Sequence, residues 1–272
     1  MNKLPIIDHL FSHASSSSFD NPMNFIWDRE NILNYDFVIL TDDTLHHVDF
    51  IKSQNKKVYA WLLESPHVKP HAIDFIKKNY DKFDKIFTHN KELLDLSDKF
   101  VLQTYGGCWI PKEERKIHEK TKSISFISSR KRSTEGHVLR NKILDYYNVN
   151  EKDIDIFGRE INPIDNKIEG LKDYRFSITI ENCREDFYFS EKLIDCLQTG
   201  TVPIYWGLPS IDKFFDKNGI ITFNNVTELF FIIEKINNNE IKYEDYLESI
   251  FNNFQLSKKY LLADDDIYNL LK

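Results

Sequence analysis

Residues 174–207 read YRFSITIENCREDFYFSEKLIDCLQTGTVPIYWG. Phe176–Ile180 alternates Phe, Ile and Ile against Ser and Thr, the period of a strand with two unlike faces. The strand runs out at Glu181-Asn182, and a short aromatic and acidic loop follows. Ser190 is then a good N-cap for a helix over Glu191–Thr199, in which Leu193, Ile194 and Leu197 share a face and Gly200 suits the C′ position. Val202–Trp206 is a second strand, broken by Gly207-Leu208-Pro209. Strand, helix and strand in this order place carboxylate, amide, phenol and ammonium groups on one edge of an open α/β sheet. Ligands of such sheets sit beyond the carboxyl ends of the strands.

The pattern continues on both sides. Ser123–Ser128 reads as a strand with Ser128 at its exit, His137–Tyr147 as a helix, and Asp153–Phe157 as a strand that stops at Gly158. From Val226 onward the sequence is helical by pattern. In the first half, candidate strands at Pro5–Ile7, Asp36–Leu40, Lys57–Leu63, Lys85–Thr88 and Phe100–Gln103 alternate with helical segments at Leu45–Ser53 and His71–Tyr80. Such alternation favours parallel sheets. The charged stretch 111–122, PKEERKIHEKTK, reads as a linker. The expected organisation is an N-terminal α/β domain over 1–118, a second over 119–250, and a helical tail over 251–272 that packs back on the first.

With 272 residues, the chain is long enough for two such domains without disulfide support. A net charge of -7 argues against a general nucleic-acid binder. Cys108, Cys183 and Cys196 are far apart and form no C-x-x-C pair, so neither a zinc site nor a disulfide framework is suggested, and a reducing, cytoplasmic setting is the simplest reading. No signal peptide and no stretch of membrane-spanning length is found. Ser15–Ser18, the one low-complexity patch, reads as a flexible loop. Asp42-Asp43, Asp153-Ile154-Asp155 and Asp264-Asp265-Asp266 have the composition of metal sites. The middle triplet alternates as a strand does, however, and no metal is expected.

Chemistry concentrates at the helix that starts after Ser190. Free N–H groups and the positive end of the helix dipole attract phosphate there. Lys192 is disfavoured by that dipole, so its place makes better sense with an anion between it and the helix. Asn182 can donate and accept, as sugar hydroxyls require. An anionic, sugar-bearing ligand such as a nucleotide sugar fits this edge. Glu64 follows the apolar run Val58–Leu63, and Pro66 discourages helix immediately after it, so Glu64 lies at a strand-to-loop exit. Arg130-Lys131-Arg132 is a rival phosphate site.

These residues resemble the signature of the α1,3/α1,4-fucosyltransferases of glycosyltransferase family 10. That signature reads Phe-x-x-x-Phe-Glu-Asn, a short loop, Tyr-x-Thr-Glu-Lys, then Gly-x-x-Pro-x-x-x-Gly. Phe176, Glu181-Asn182, Tyr188, Ser190-Glu191-Lys192, Gly200, Pro203 and Gly207 stand in that order. Glu64-Ser65-Pro66, Ser97-Asp98, Tyr105-Gly106, Val138-Leu139-Arg140-Asn141 and Asp155-Ile156-Phe157-Gly158-Arg159 extend the resemblance over residues 55–235. It implies the GT-B architecture, two Rossmann-like domains facing across a cleft. It also implies inverting, metal-independent transfer of L-fucose from GDP-β-L-fucose to a hydroxyl of an acceptor glycan. Carried over, Glu64 is the general base, Arg140 and Lys192 neutralise the diphosphate, and Asn182, Tyr188 and Glu191 hold ribose, guanine or sugar. Ser128, Gly158, Glu181 and Ser190 are secondary candidates.

The chain departs from the signature at Ser190, which replaces Thr, at Cys183, which replaces Ser or Thr, and at Ile180, which replaces Phe. Two alternatives stand beside this reading: the Ser190 and Cys183 departures and the short first domain leave the donor open, and the presence of Glu64, Arg140 and Lys192 argues against a decayed site. One is another GDP- or UDP-sugar donor; the other is a non-catalytic carbohydrate-binding protein. The membrane anchor of animal Golgi members is absent, which fits a soluble bacterial or viral enzyme or a form without its anchor.

Overall fold

The computed structural model describes residues 1–9, 16–149 and 154–272. They divide into two compact units, each built on a wholly parallel sheet. The first unit comprises Met1–Gly107, Asp186–Tyr188 and Leu262–Lys272, the second Cys108–Glu185 and Phe189–Leu261.

In the first unit the strands are β1 (Asn2–Ile7), β2 (Phe25–Asp28), β3 (Phe37–Thr41), β4 (Lys57–Trp61), β5 (Lys85–Thr88) and β6 (Phe100–Leu102), in the order β2-β1-β3-β4-β5-β6. Helices α1 (Val48–Ser53), α2 (Pro70–Asn79) and α3 (Lys91–Leu94) connect them. The central strands β3, β4 and β5 are mostly apolar after their first residues, because both of their faces are covered. Val38, Leu40, Val58, Ala60 and Ile86 pack with Ile51, Ile73 and Ile76, while Ile39, Trp61, Leu63 and Phe87 form a second core on the opposite face. The helix expected over Leu45–Ser53 begins earlier, as a 3-10 turn over Asp42–His47 that leads into α1.

The second unit contains β7 (Lys122–Ile127), α4 (Glu135–Val149), β8 (Asp155–Phe157), β9 (Tyr174–Ile180), α5 (Glu191–Thr199), β10 (Val202–Trp206), β11 (Ile221–Thr222), α6 (Val226–Asn237) and α7 (Leu247–Ser257). Its sheet runs β11-β10-β9-β7-β8. After β8 the chain returns past β7 to place β9 on its other side, so the strand order reverses between β7 and β9. Phe176, Ile178 and Ile180 of β9 pack in the same core as Ile143, Leu144, Leu229 and Ile233 from α4 and α6. Ser177 and Thr179 point to the other face, toward α5, where Ser177 Oγ accepts from Ser125 Oγ (3.0 Å) and Thr179 Oγ1 lies 3.2 Å from Cys196 Sγ. Gly200 ends α5 with φ at 71°, in the left-handed region. A Cβ there would also stand 2.8 Å from Ile117 Cγ2.

The polar stretch 111–122 is packed onto the second unit rather than standing clear of it. Lys120 Nζ donates to the carbonyls of Lys172 (3.0 Å) and Thr199 (2.9 Å) and to the Thr201 hydroxyl (2.9 Å). Its many charges gave it the composition of a linker, yet this one ammonium finds a nest of carbonyls. The short edge strands β2 and β11 offered too few residues for a period to register in the sequence. Asp153 of the strand and triplet 153–155 lies outside the described residues.

Leu262–Lys272, which includes the final helix α8 (Ala263–Leu271), belongs to the first unit, and Ala263 and Ile267 complete its second core. Contrary to the expectation of a flexible loop, Ser16–Ser18 is buried, Ser15 being outside the described residues. The backbone N–H of Ser17 donates to Asp264 Oδ2 at 3.1 Å, its hydroxyl donates to the same oxygen, and Trp27 Nε1 donates to Oδ1 at 2.6 Å. Asp265 accepts the Met23 N–H at 3.0 Å. Asp264 and Asp265 are therefore committed to tying chain segments together.

Replacing Asp264 by Ala leaves three buried donors without an acceptor and should destabilise the first unit by about 2–4 kcal/mol. Asp265→Ala, at a more exposed position, should cost less than about 1 kcal/mol. Urea unfolding followed by tryptophan fluorescence measures both, and equal midpoints for the two variants would contradict this ranking.

Candidate functional site

The start of α5 is fixed by a carboxylate from the end of β9. Glu181 is 0% exposed, and its Oε1 accepts the backbone N–H of Ser190 at 2.9 Å while Oε2 accepts the Ser190 hydroxyl at 2.6 Å. Ser190 Oγ in turn caps the helix, accepting from Lys192 N at 3.4 Å. Gly207 is required beside them, because a Cβ there would meet Tyr205 Oη at 2.3 Å and Glu181 Cγ at 2.6 Å. Glu181 and Ser190, both secondary candidates from the sequence, thus serve as buried supports of the helix start.

The cap projects Glu191 and Lys192 toward a cavity of about 230 Å3 in the second unit. Ile127, Ser128 and Ser129 from the exit of β7, residues 177–180 of β9, and Arg140, Lys167, Glu191, Lys192 and Asp195 line it. It opens where the strand order reverses, between β7 and β9, the position at which doubly wound sheets take ligands. The small polar side chains of Ser177 and Thr179 leave this space under α5, where an apolar pair would fill it.

Three cations meet here. Lys192 Nζ donates to Ser190 Oγ at 2.9 Å and lies 3.4 Å from Glu191 Oε1 and 3.7 Å from Glu181 Oε2. Arg140, on α4 and 5% exposed, donates through Nε to the Ile180 carbonyl at 3.1 Å and through Nη2 to Asn182 Oδ1 at 3.1 Å. Lys167 Nζ bridges Glu191 Oε1 (3.2 Å) and Asp195 Oδ2 (3.0 Å). Burial alone would push the Glu191 carboxyl up, but the Lys167 and Lys192 ammonium groups hold it well below the usual carboxylate range. Burial first, and then the charges of Arg140, Lys131 and Lys192, pull the nearby His137 imidazole down to about 4. An ionised carboxylate among ammonium and guanidinium groups can accept hydroxyl protons while its neighbours take phosphate oxygens.

The residues predicted from the sequence separate. Ser128, Arg140, Glu191 and Lys192 line the cavity, and Asn182 is tied to Arg140 beside it. Gly158 lies close against the exit of β7, where a Cβ would stand 2.0 Å from the Ser128 carbonyl oxygen. Tyr188, expected on the ligand, belongs to the first unit and is 2% exposed, with its ring centroid 5.0 Å from that of His89. Of the rival cations, Arg130 is ion-paired with Asp145 at 2.9 Å. Lys167 and Asp195 were missed: Lys167 sits in a polar stretch with no periodic signal, and Asp195 reads as an ordinary helix carboxylate.

In the first unit, Glu64 leaves the carboxyl end of β4 half-buried, and its backbone N–H donates to Asp42 Oδ2 at 3.3 Å, as does that of Leu63. Asp42 stands at the carboxyl end of β3. Asp43 contacts Lys69 (2.6 Å) and the His71 ring (2.9 Å), so this aspartate pair faces backbone amides, an ammonium group and an imidazole. Among the described residues, no group of three His, Cys, Asp or Glu side chains is arranged to hold a metal ion, and no helix is long and apolar enough to cross a membrane. Burial first, then the Glu64 charge, raises the Asp42 carboxyl from 3.8 to about 8. A folded value above the unfolded one means stability that is complete below about 3.8 and lost as pH rises through about 8. Relative to Asp42→Asn, the parent should therefore lose unfolding free energy progressively across that window. Urea titrations at several pH values test this, and parallel pH profiles for the two proteins would refute it.

Residues 117–259 match the C-terminal domain of glycosyltransferase family 10 (fucosyltransferase). An α-(1,3)-fucosyltransferase of Helicobacter pylori is 34% identical over 87 residues, covering 31% of this chain and 18% of that protein. GDP-fucose protein O-fucosyltransferase 3 of Gallus gallus is 35% identical over 82 residues, covering 29% of this chain and 17% of that protein. The aligned segments thus span less than a fifth of these relatives. The crystal structure of an α1,3-fucosyltransferase with GDP-fucose has a TM-score of 0.59 at 20% identity, covering 98% of this chain and 90% of that one, a likeness of fold. That fold is GT-B, with two parallel-sheet α/β units. Because the family match takes in more than half of the 272 residues, this chain belongs to glycosyltransferase family 10, the fucosyltransferases.

Proposed function

We propose that this protein transfers L-fucose from GDP-β-L-fucose to a hydroxyl of an acceptor glycan, with inversion and without a metal ion in the chemistry. The observation that carries this reading is the cavity at the strand-order reversal, ringed by Arg140, Lys167 and Lys192 and entered by the ionised Glu191. In-line displacement at an anomeric carbon makes negative charge on the departing diphosphate. Preorganised cations are the direct means of stabilising it. Arg140 offers a planar fork and Lys192 a point charge, next to the N–H groups of the first turn of α5. Glu191 accepts hydroxyl protons from the ribose or the sugar, and Asn182, steadied by Arg140, offers a second polar contact.

Glu64 is the proposed general base that removes the acceptor proton as the hydroxyl attacks. An oxygen of the Asp42 carboxyl group accepts the Glu64 backbone N–H, so the Glu64 side chain leaves the strand exit from a defined point. A relative named for GDP-fucose and an α1,3-fucosyltransferase solved with GDP-fucose favour that donor over other GDP- or UDP-sugars.

Thermal shift with GDP, GDP-fucose, UDP and UDP-sugars tests the donor. A ligand that binds only the folded state raises its apparent stability. GDP and GDP-fucose should raise the melting temperature and the uridine compounds should not; a preference for UDP would overturn the assignment. Glu64→Gln should lower kcat about 100-fold or more while GDP affinity stays near the parent's. Unchanged transfer would remove Glu64 from the mechanism. Lys192→Ala should weaken GDP more than guanosine, by about 10-fold, as expected for loss of a charged hydrogen bond to phosphate. Equal losses for both ligands would argue against the phosphate contact.

A further inference from the structure

Glu191 and Asp195 are four residues apart on α5 and therefore share a face. Like charges at that spacing repel, and here both also turn toward a cavity that is proposed to hold an anion. Lys167 resolves the conflict from outside the helix. It enters from the 3-10 turn Lys167–Gly170 ahead of β9, a turn closed by a capping box between Asn166 and Glu169. Its Nζ stands between the two carboxylates, 3.2 Å from Glu191 Oε1 and 3.0 Å from Asp195 Oδ2.

Asp195 is the fixed end of this bridge. It is 1% exposed, and its other oxygen accepts the Trp109 backbone N–H at 2.7 Å. Glu191 is the working end, since it lines the cavity. The same Glu191 oxygen is also 3.4 Å from Lys192 Nζ, so two cations compete for it. Whichever ammonium neutralises Glu191 is drawn away from a ligand. Lys167, anchored by Asp195, is placed to do so.

We propose that Lys167 is a positioning residue of the nucleotide site: held by Asp195, it fixes the Glu191 carboxylate for the ligand's ribose hydroxyls and leaves the Lys192 ammonium for the phosphates. Exposed ion pairs contribute little. This one differs in that one partner is buried and hydrogen-bonded to backbone, so its geometry is set. The proposal rests on the reading above that the cavity takes a nucleoside diphosphate. It adds a residue, and a division of labour between two lysines, to that reading.

Isothermal calorimetry on the intact chain tests it, with GDP and 2′,3′-dideoxy-GDP as probes for the parent, Lys167→Met and Lys167→Arg. The parent should prefer GDP over the dideoxy compound by about 10-fold or more, as for loss of a charged hydrogen bond. Lys167→Met should lower GDP affinity by about 10-fold and reduce that preference to less than about 3-fold, while Lys167→Arg, which keeps the charge, should stay within about 3-fold of the parent in both. A Lys167→Met protein that is folded and keeps both the affinity and the preference would overturn the proposal and leave the donor reading intact. A parent that binds neither nucleotide would overturn the donor reading and the proposal with it, whereas a parent that binds both equally would overturn the proposal alone, since GDP would still be held without help from its ribose hydroxyls. Lys167→Met alone leaves Asp195 buried beside a missing cation, which can impair folding. Lys167→Met with Asp195→Asn removes both charges. That pair should bind GDP weakly and without hydroxyl preference, and parent-like binding by it would also refute the role.

Discussion

A carboxylate taken wholly out of water must find donors, and Glu181 finds both of its own on one residue, the backbone and the hydroxyl of Ser190. That requirement couples the last turn of β9 to the first turn of α5. With the helix start fixed to the strand end, the directions of Glu191 and Lys192 follow, and so does the room beneath α5 over Ser177 and Thr179. Gly207 and the Tyr205 phenol close around the same carboxylate, so the exit of β10 is drawn into one assembly with it. Leaving a buried acceptor of this kind without its donors costs about 1–3 kcal/mol or more. The geometry of the cavity entrance therefore depends more on Glu181 than on any group that lines it.

Above this support the charges are arranged as a relay of partial neutralisation. Asp195 is satisfied by Trp109 and Lys167, Lys167 is shared with Glu191, and Glu191 is shared with Lys192. Arg140 is held to a strand-end carbonyl and to Asn182. No cation in this set is without company, and each contact is of the kind that anionic oxygens can replace. The low value of the His137 imidazole follows partly from the same concentration of positive charge, since Arg140, Lys131 and Lys192 each oppose a further proton.

Where local pattern and tertiary demand agree, the chain is readable from its sequence alone. α5 and β10 come out with their limits, and β9 with its end though it starts two residues earlier, because alternation, an N-capping serine and a glycine at the left-handed position all point the same way. Glu191 and Lys192 could be singled out because a short ordered signature surrounds them, and Arg140 because a second matching stretch, Val138-Leu139-Arg140-Asn141, contains it. Lys167 could not, because its role depends on a partner 28 residues away in sequence and its own neighbourhood is merely polar. Burial of Ser16–Ser18 was likewise invisible, since Asp264 lies 247 positions along the chain. Tyr188 stands in a recognisable order, yet its 2% exposure and its ring contact with His89 could not be told from that order.

The placement of α8 bears on how the protein is made. Ala263 and Ile267 fill the second core of the first unit, and Asp264 supplies the acceptor for Ser17 and Trp27, yet all of them emerge from the ribosome after the whole of the second unit. Domains tend to fold as they are synthesised, N-terminal first. Here the earlier-made half must wait, with an apolar sheet face uncovered, until the later-made half has already been translated. The second unit is thus expected to reach its native state first, and the interval before α8 arrives is when chaperones have most to shield.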